Sequence, residues 1–158
     1  MRYRKHIRLS PELYKQTRLF FVTIVSRLRQ PLFDGRIKQI LQEEFKNIPS
    51  RFPGWNLDFF TIMPNHIHFI VSNSTEGNFS LGRIIGAYKS IVCKRLREKI
   101  HLNKTVWQTN YYEHIIRTEE ELNKIRFYII ANPSEEKIDW TKIEDYDLPV
   151  ILEQNKFC

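Results

Sequence analysis

Hydrophobic positions along the chain follow two periodicities, which predict alternating strands and helices. β-branched and aromatic residues concentrate in four short segments, a pattern typical of strands. Apolar residues recur every three or four positions in three longer segments, which predicts amphipathic helices. The predicted order is strand 18–28, helix 34–48, strand 56–63, strand 66–73, helix 81–100, strand 112–116 and helix 118–132.

Turn and cap residues support these boundaries. Pro64 and Asn65 form a tight turn between the second and third strands, which predicts an antiparallel hairpin. Ser80 is placed to cap the long helix, and Thr118 with Glu121 forms a capping box before the last one. Hairpin strands with interspersed helices predict an α+β fold, an antiparallel sheet with helices packed on one face.

Composition and charge indicate the cellular compartment and the kind of binding partner that we expect. The chain has 158 residues and a net charge of +7, which favours a polyanionic partner, although many basic proteins bind no nucleic acid. Cys93 and Cys158 form no disulfide or zinc pattern, and no apolar run is long enough to span a membrane. We therefore expect a cytoplasmic protein with no membrane partner. We expect one domain over 1–137, followed by an acidic tail, 138–158, that packs on the domain or is mobile.

Two histidines stand out in the third strand, "HIHFIVSN". His66 and His68 are two residues apart, so both side chains project from the same face of the strand. Two imidazoles on one face can bind one divalent metal ion. Histidines also occur in strands without binding any ligand, and two ligands do not complete a metal site. His114 is a reserve ligand.

The last helix carries a second candidate pair. Tyr128 and Asn132 are four residues apart and therefore share a helix face. A tyrosine can serve as a covalent nucleophile, and an asparagine carbonyl oxygen can bind a hard cation. The alternative is that Tyr128 is a core aromatic and Asn132 a C-terminal cap before Pro133.

These motifs together resemble a known family. The segments "MPNHIHFIV", "VWQTNYYEHIIR" and "YIIANP", with a basic helix between the first two, are similar to the single-tyrosine HUH transposases. That family includes small insertion-sequence transposases and the REP-associated tyrosine transposases. The resemblance runs from about Arg18 to Pro133. The insertion-sequence branch often has Gln where this chain has Asn132, so the likeness is greater to the REP-associated branch.

The resemblance implies a ferredoxin-like fold and a specific chemistry. By position in the motif, His66, His68 and Asn132 would bind Mg²⁺ or Mn²⁺, and Tyr128 would be the nucleophile. The expected activity is DNA transposition, in which single-stranded DNA is cut and rejoined through a 5′-phosphotyrosine. The expected substrate carries hairpins, and the protein would be a monomer or a homodimer.

Binding residues and rival functions complete the prediction. Basic side chains on the long helix can neutralise phosphates, although each can also be a solvated surface charge; the candidates are Arg83, Lys89, Lys94 and Arg97. One alternative is a non-catalytic module that binds single-stranded nucleic acid on the same fold. Others are a domesticated transposase and a metal-dependent hydrolase that does not need Tyr128.

Overall fold

A computed structural model describes residues 18–74 and 79–131 of the chain. The strands are β1 (Arg18–Ser26), β2 (Trp55–Ile62), β3 (His66–Asn73) and β4 (Trp107–Ile116). The helices are α1 (Gly35–Lys46), the single turn α2 (Ile48–Arg51), α3 (Leu81–Ile100) and α4 (Glu119–Ala131). The predicted tail, 138–158, lies outside the described residues.

The four strands form one sheet in the order β2-β3-β1-β4, and every neighbouring pair is antiparallel. Two pairs of strands that are consecutive in sequence are therefore separated in the sheet. β3 lies between β1 and β2, and β1 lies between β3 and β4. This is the ferredoxin-like arrangement. The predicted α+β class and the predicted order of elements are confirmed.

Helices lie on both faces of the sheet, which corrects one detail of the prediction. Side chains alternate along β1, so Phe20 and Val22 enter a core with α1 and α3, whereas Phe21 enters a smaller core with α4. The prediction placed all helices on one face. The helical period shows which side of α4 is apolar, but it does not show which face of the sheet that side will cover.

The larger core is aromatic at its centre. The ring of Phe45 from α1 lies 4.9 Å from that of Phe69 on β3 and 4.3 Å from that of Tyr88 on α3. The Tyr88 hydroxyl donates to the Leu41 carbonyl at 3.1 Å, so its polar end is satisfied within the core. This layer fixes α1 and α3 against the sheet and so sets the position of β3.

A buried carboxylate joins α1 to α2 and α3. Arg51 donates to Oε2 of Glu44 at 2.6 Å, and Arg95 donates to Oε1 at 2.8 Å. Arg95 also binds the exposed Glu43 at 2.6 Å. Burial alone would raise the pKa of Glu44, but the hydrogen bonds and charges of Arg51 and Arg95 outweigh it and lower the pKa below 4.5.

We expect Glu44→Gln to lower the free energy of unfolding at pH 7 by about 2–4 kcal/mol, because two arginines lose a buried charged partner. Urea denaturation measures this loss. The stabilisation by Glu44 is present above its unfolded-state pKa of 4.5 and is lost as the pH falls through the lowered folded-state pKa, so the two proteins should converge in acid.

Glu43→Gln is the matched control, since Glu43 binds the same Arg95 from an exposed position. It should cost less than about 1 kcal/mol. Equal losses for the two variants would show that burial of the carboxylate adds nothing to the free energy of unfolding.

Candidate active site

The two histidines of β3 lie side by side on the face covered by α4. Their ring centroids are 4.7 Å apart, and the ring planes are inclined by 67°. His66 is 9% exposed and His68 is fully buried. Phe21 from β1 stacks on the His68 ring with centroids 5.4 Å apart. The predicted shared face is therefore confirmed, and Ile67 between the histidines points into the larger core.

Both imidazoles form a hydrogen bond through Nδ1. His66 Nδ1 lies 2.6 Å from Oδ1 of Asn65, the residue before it, and His68 Nδ1 lies 2.8 Å from the hydroxyl of Thr23 on β1. Thr23 faces His68 because β1 and β3 pair with these two residues in register. Bonds of this kind orient ligating histidines, with Nε2 as the nitrogen that meets the cation.

The electrostatics keep both rings neutral at neutral pH. Burial, followed by the nearby charge of Arg29, lowers the pKa of His66 to about 4. Burial, followed by the charge of His66, lowers the pKa of His68 well below 6.5. A metal ligand must be an unprotonated imidazole. The donor set therefore fits a divalent cation without the need to remove a proton first.

Tyr128 of α4 lies beside His68. Its ring centroid is 5.4 Å from that of His68, and its ring meets the edge of Phe21 at 6.3 Å. Tyr128 is 3% exposed, whereas its neighbours Phe127 and Ile130 are exposed at 44% and 61%. The helix thus turns its hydroxyl-bearing ring toward the sheet. Tyr128 is a core aromatic, as the alternative interpretation from the sequence predicts, and its ring also contacts that of His68.

The N-terminal end of α4 is fixed to the sheet. The Thr118 hydroxyl accepts from the backbone N–H of Glu121 at 3.1 Å, as the predicted capping box requires. The Glu121 carboxylate accepts from the backbone N–H of Arg117 at 2.7 Å and lies 2.7 Å from Nε2 of His114. His114, the reserve ligand, is therefore engaged in anchoring this helix.

Farther along, α4 is tied to the edge strand. Arg126 donates through two nitrogens to Asp58 of β2, at 2.8 and 2.9 Å. A bidentate pair of this kind fixes orientation as well as distance. The contact of Glu121 with His114 and the ion pair of Arg126 with Asp58 hold the helix in the rotation that directs Tyr128 toward β3.

The structure does not describe the third predicted ligand. Asn132 follows the last residue of α4 and is outside the described residues. Within 18–74 and 79–131, no three His, Cys, Asp or Glu side chains are grouped to hold a metal ion. The described part of the candidate site is thus a pair of histidines beside a tyrosine.

The predicted DNA-binding residues lie on α3, across the sheet from the histidines. The Arg83 guanidinium lies 5.1 Å from the ring centre of Phe79, and Lys94 is 3.9 Å from Glu98. The Lys89 ammonium donates to the carbonyls of three successive β4 residues, Gln108, Thr109 and Asn110. Lys89 therefore connects α3 to β4. DNA binding by Arg83, Lys89, Lys94 and Arg97 stays a prediction.

Two polar residues of the site were not identified from the sequence. Asn65 was recognised only as a turn residue, and Thr23 only as part of a strand. The "NH" step before the paired histidines could have indicated Asn65, since an asparagine next to a histidine can reach its ring. Nothing in the sequence indicates Thr23, because its contact with His68 depends on the pairing register.

One further finding concerns membranes. None of the described helices combines the length and apolar character required to cross a bilayer.

Two solved structures share this fold. A REP-associated tyrosine transposase bound to a REP hairpin superimposes with a TM-score of 0.58 and 21% identity, over 93% of this chain and 80% of that one. A candidate transposase of Deinococcus radiodurans superimposes with a TM-score of 0.55 and 15% identity, over 82% of this chain and 96% of that one. Identities at this level show a shared fold.

Sequence comparison assigns the family. A protein of unassigned function from Haemophilus influenzae is 32% identical over 160 aligned positions, which cover 83% of this chain and 88% of that protein. The family model described as IS200-like transposase matches residues 16–132, a range that includes both histidines, Tyr128 and Asn132. The chain belongs to the IS200-like transposase family, and so to the DNA transposases.

Proposed function

We propose that this transposase cuts and rejoins single-stranded DNA through a covalent bond between Tyr128 and a 5′-phosphate, assisted by Mg²⁺ or Mn²⁺ at His66, His68 and Asn132. The observation that carries the proposal is the approach of the Tyr128 ring to within 5.4 Å of His68. These residues are far apart in sequence, and only the folded sheet with α4 upon it brings them together.

The reaction we propose is an in-line displacement at phosphorus. The phenol oxygen of Tyr128 loses its proton and forms a bond to phosphorus, while the bond from phosphorus to the 3′ oxygen breaks. The departing 3′ oxygen takes up a proton and leaves as a hydroxyl. One phosphodiester is exchanged for another, so attack by a second 3′-hydroxyl reverses the step and rejoins DNA without an external energy source.

Residues of this chain would bind the cation and orient the nucleophile. A divalent cation, when bound, would polarise the phosphate and offset charge that develops on its oxygens. His66 and His68 supply neutral nitrogen donors at neutral pH, and Asn132 would add an oxygen donor. The anchored rotation of α4 would hold Tyr128 in place for attack, which reduces the entropy cost of reaching the transition state.

One observation supports a DNA substrate with secondary structure, and a second supports DNA in general. The related solved transposase is bound to a REP hairpin. The chain carries a net charge of +7, and Arg29 places positive charge near His66, where a phosphate would be favoured. The exposed cations of α3 lie on the other side of the sheet. A substrate that contacts both surfaces must pass around an edge of the sheet, as a folded DNA with a single-stranded extension can.

The direct test is trapping of the covalent product. We expect the purified protein, incubated with a labelled single-stranded DNA hairpin library and Mn²⁺, to yield a labelled band that survives a denaturing gel. DNase treatment followed by mass spectrometry should place a nucleotide on the peptide that contains Tyr128. The same DNA as a perfect duplex is the control, and should give far less product.

The alternative is a protein that binds single-stranded nucleic acid without cutting it. The buried neutral histidines beside a tyrosine are not required for such a role, which is why we favour cleavage. Tight hairpin binding with no adduct in Mg²⁺ or Mn²⁺ would contradict our proposal and favour the binding module.

A further inference from the structure

Each imidazole of the histidine pair is held at Nδ1, and the partner of His66 reveals where the proton lies. Nδ2 of Asn65 lies 3.4 Å from the Arg29 carbonyl, to which it donates, so its Oδ1 faces His66 Nδ1 at 2.6 Å. An amide oxygen only accepts hydrogen bonds. Nδ1 of His66 therefore carries the proton, and the lone pair of that ring is on Nε2.

His68 has a partner of a different kind. The Thr23 hydroxyl lies 2.8 Å from Nδ1 of His68 and is buried with it. A hydroxyl can either donate or accept. If it donated, the His68 proton would lie on Nε2 and that nitrogen could not ligate a cation. If it accepts, both histidines present Nε2 in the same protonation form.

We propose that Thr23 is a positioning residue, which accepts the Nδ1 proton of His68 and so keeps Nε2 of that ring ready to bind the cation. The inference rests on the proposed cation site. It adds a residue of the first strand to the determinants of that site, with Asn65 in the same role toward His66.

The local structure suits Thr23 to this task. Its side chain is 2% exposed and β-branched, so few rotamers are open to it in the strand. Phe21, two residues earlier, stacks on His68 and restrains the plane of the ring. Phe21 therefore limits how the imidazole can tilt, while the Thr23 hydroxyl determines which nitrogen carries the proton.

The test is Thr23→Val, which keeps the branched shape and removes the hydroxyl. In the cation-free protein, nitrogen-15 NMR of the imidazoles should show His68 protonated at Nδ1 in the native chain, with this preference lost in the variant. Titration with Mn²⁺, followed by the electron paramagnetic resonance of the free ion, should show affinity weakened by about 10–100-fold. Thr23→Ser, which restores a hydroxyl, should recover both.

Thr61→Val is the matched control. Thr61 of β2 pairs with His68 from the opposite side, whereas the hydroxyl that lies 2.8 Å from Nδ1 of His68 belongs to Thr23. This variant should match the native protein in tautomer and in Mn²⁺ affinity.

Native-like Mn²⁺ affinity in Thr23→Val, or a native His68 protonated at Nε2, would overturn the positioning role and leave the cation site intact. A native protein that binds no Mn²⁺ would overturn the cation site and the positioning role together. The tautomer measurement needs no cation and separates these cases.

Discussion

Tyr128→Phe is expected to abolish the covalent DNA adduct and to slow strand cleavage by at least about 10³-fold. Phenylalanine lacks the oxygen that would bond to phosphorus. Its ring can keep the packing beside His68 and Phe21, so the site around it should persist. Labelled hairpin DNA on a denaturing gel measures the adduct, single-turnover kinetics measure cleavage, and circular dichroism checks the fold.

Tyr112→Phe is the control for this experiment. Tyr112 of β4 pairs with Thr23, which in turn pairs with His68, so it lies in the same row and on the same face of the sheet. Tyr111 points to the opposite face, against the larger core. Tyr112→Phe and Tyr111→Phe should both form adduct. An adduct that survives in Tyr128→Phe and disappears in Tyr112→Phe would move the nucleophile to β4.

Replacing both His66 and His68 with glutamine is expected to remove Mn²⁺ binding and to reduce cleavage by more than about 100-fold. The two rings are adjacent and neutral, so their loss eliminates both nitrogen donors of the proposed site. Isothermal titration with Mn²⁺ measures binding. In the native protein, EDTA should stop cleavage, and added Mn²⁺ should restore it.

His101→Gln provides the matched control, because His101 is an exposed histidine at the C-terminal end of α3 and far from the pair in the sheet. It should bind Mn²⁺ and cleave DNA as the native protein does. Cleavage that resists EDTA, or that survives in the double variant, would contradict a role for the cation in this chemistry.

Elements with a strong local pattern were predicted to the residue. β3 and α3 have the predicted bounds, His66–Asn73 and Leu81–Ile100. Each has unambiguous end signals: the Pro64–Asn65 turn before β3, and Ser80 before α3, whose hydroxyl accepts from the backbone N–H of Arg83. Local sequence is sufficient where apolar periodicity and capping agree.

Elements set by partners elsewhere in the chain were predicted less well. β4 was expected to begin at residue 112 but begins at Trp107; the difference arises because residues 108–110 in its first half are polar and exposed. That half carries no alternating pattern, and its carbonyls are held instead by Lys89 of α3. The packing of α4 on the histidine face also depends on the assembled sheet.

Local sequence likewise predicts some features of the candidate site and not others. Period-two spacing was enough to place His66 and His68 on one face. Helical spacing could not show that Tyr128 faces the sheet while Phe127 faces outward, since apolar residues flank Tyr128 on both sides. The contact between Thr23 and His68 requires the register of β1 against β3, which a single sequence does not specify.

The separation of the two cores has a consequence for motion. The sheet lies between them, so release of α4 would disrupt the smaller apolar layer around Phe21, Ile70 and Ile116 and the contacts of α4 with His114 and Asp58. The sheet, α1 and α3 would keep the larger layer. Opening of this kind costs less free energy than global unfolding. We therefore expect the helix that bears the phenol to open before the rest of the fold, while the paired imidazoles stay in a folded sheet.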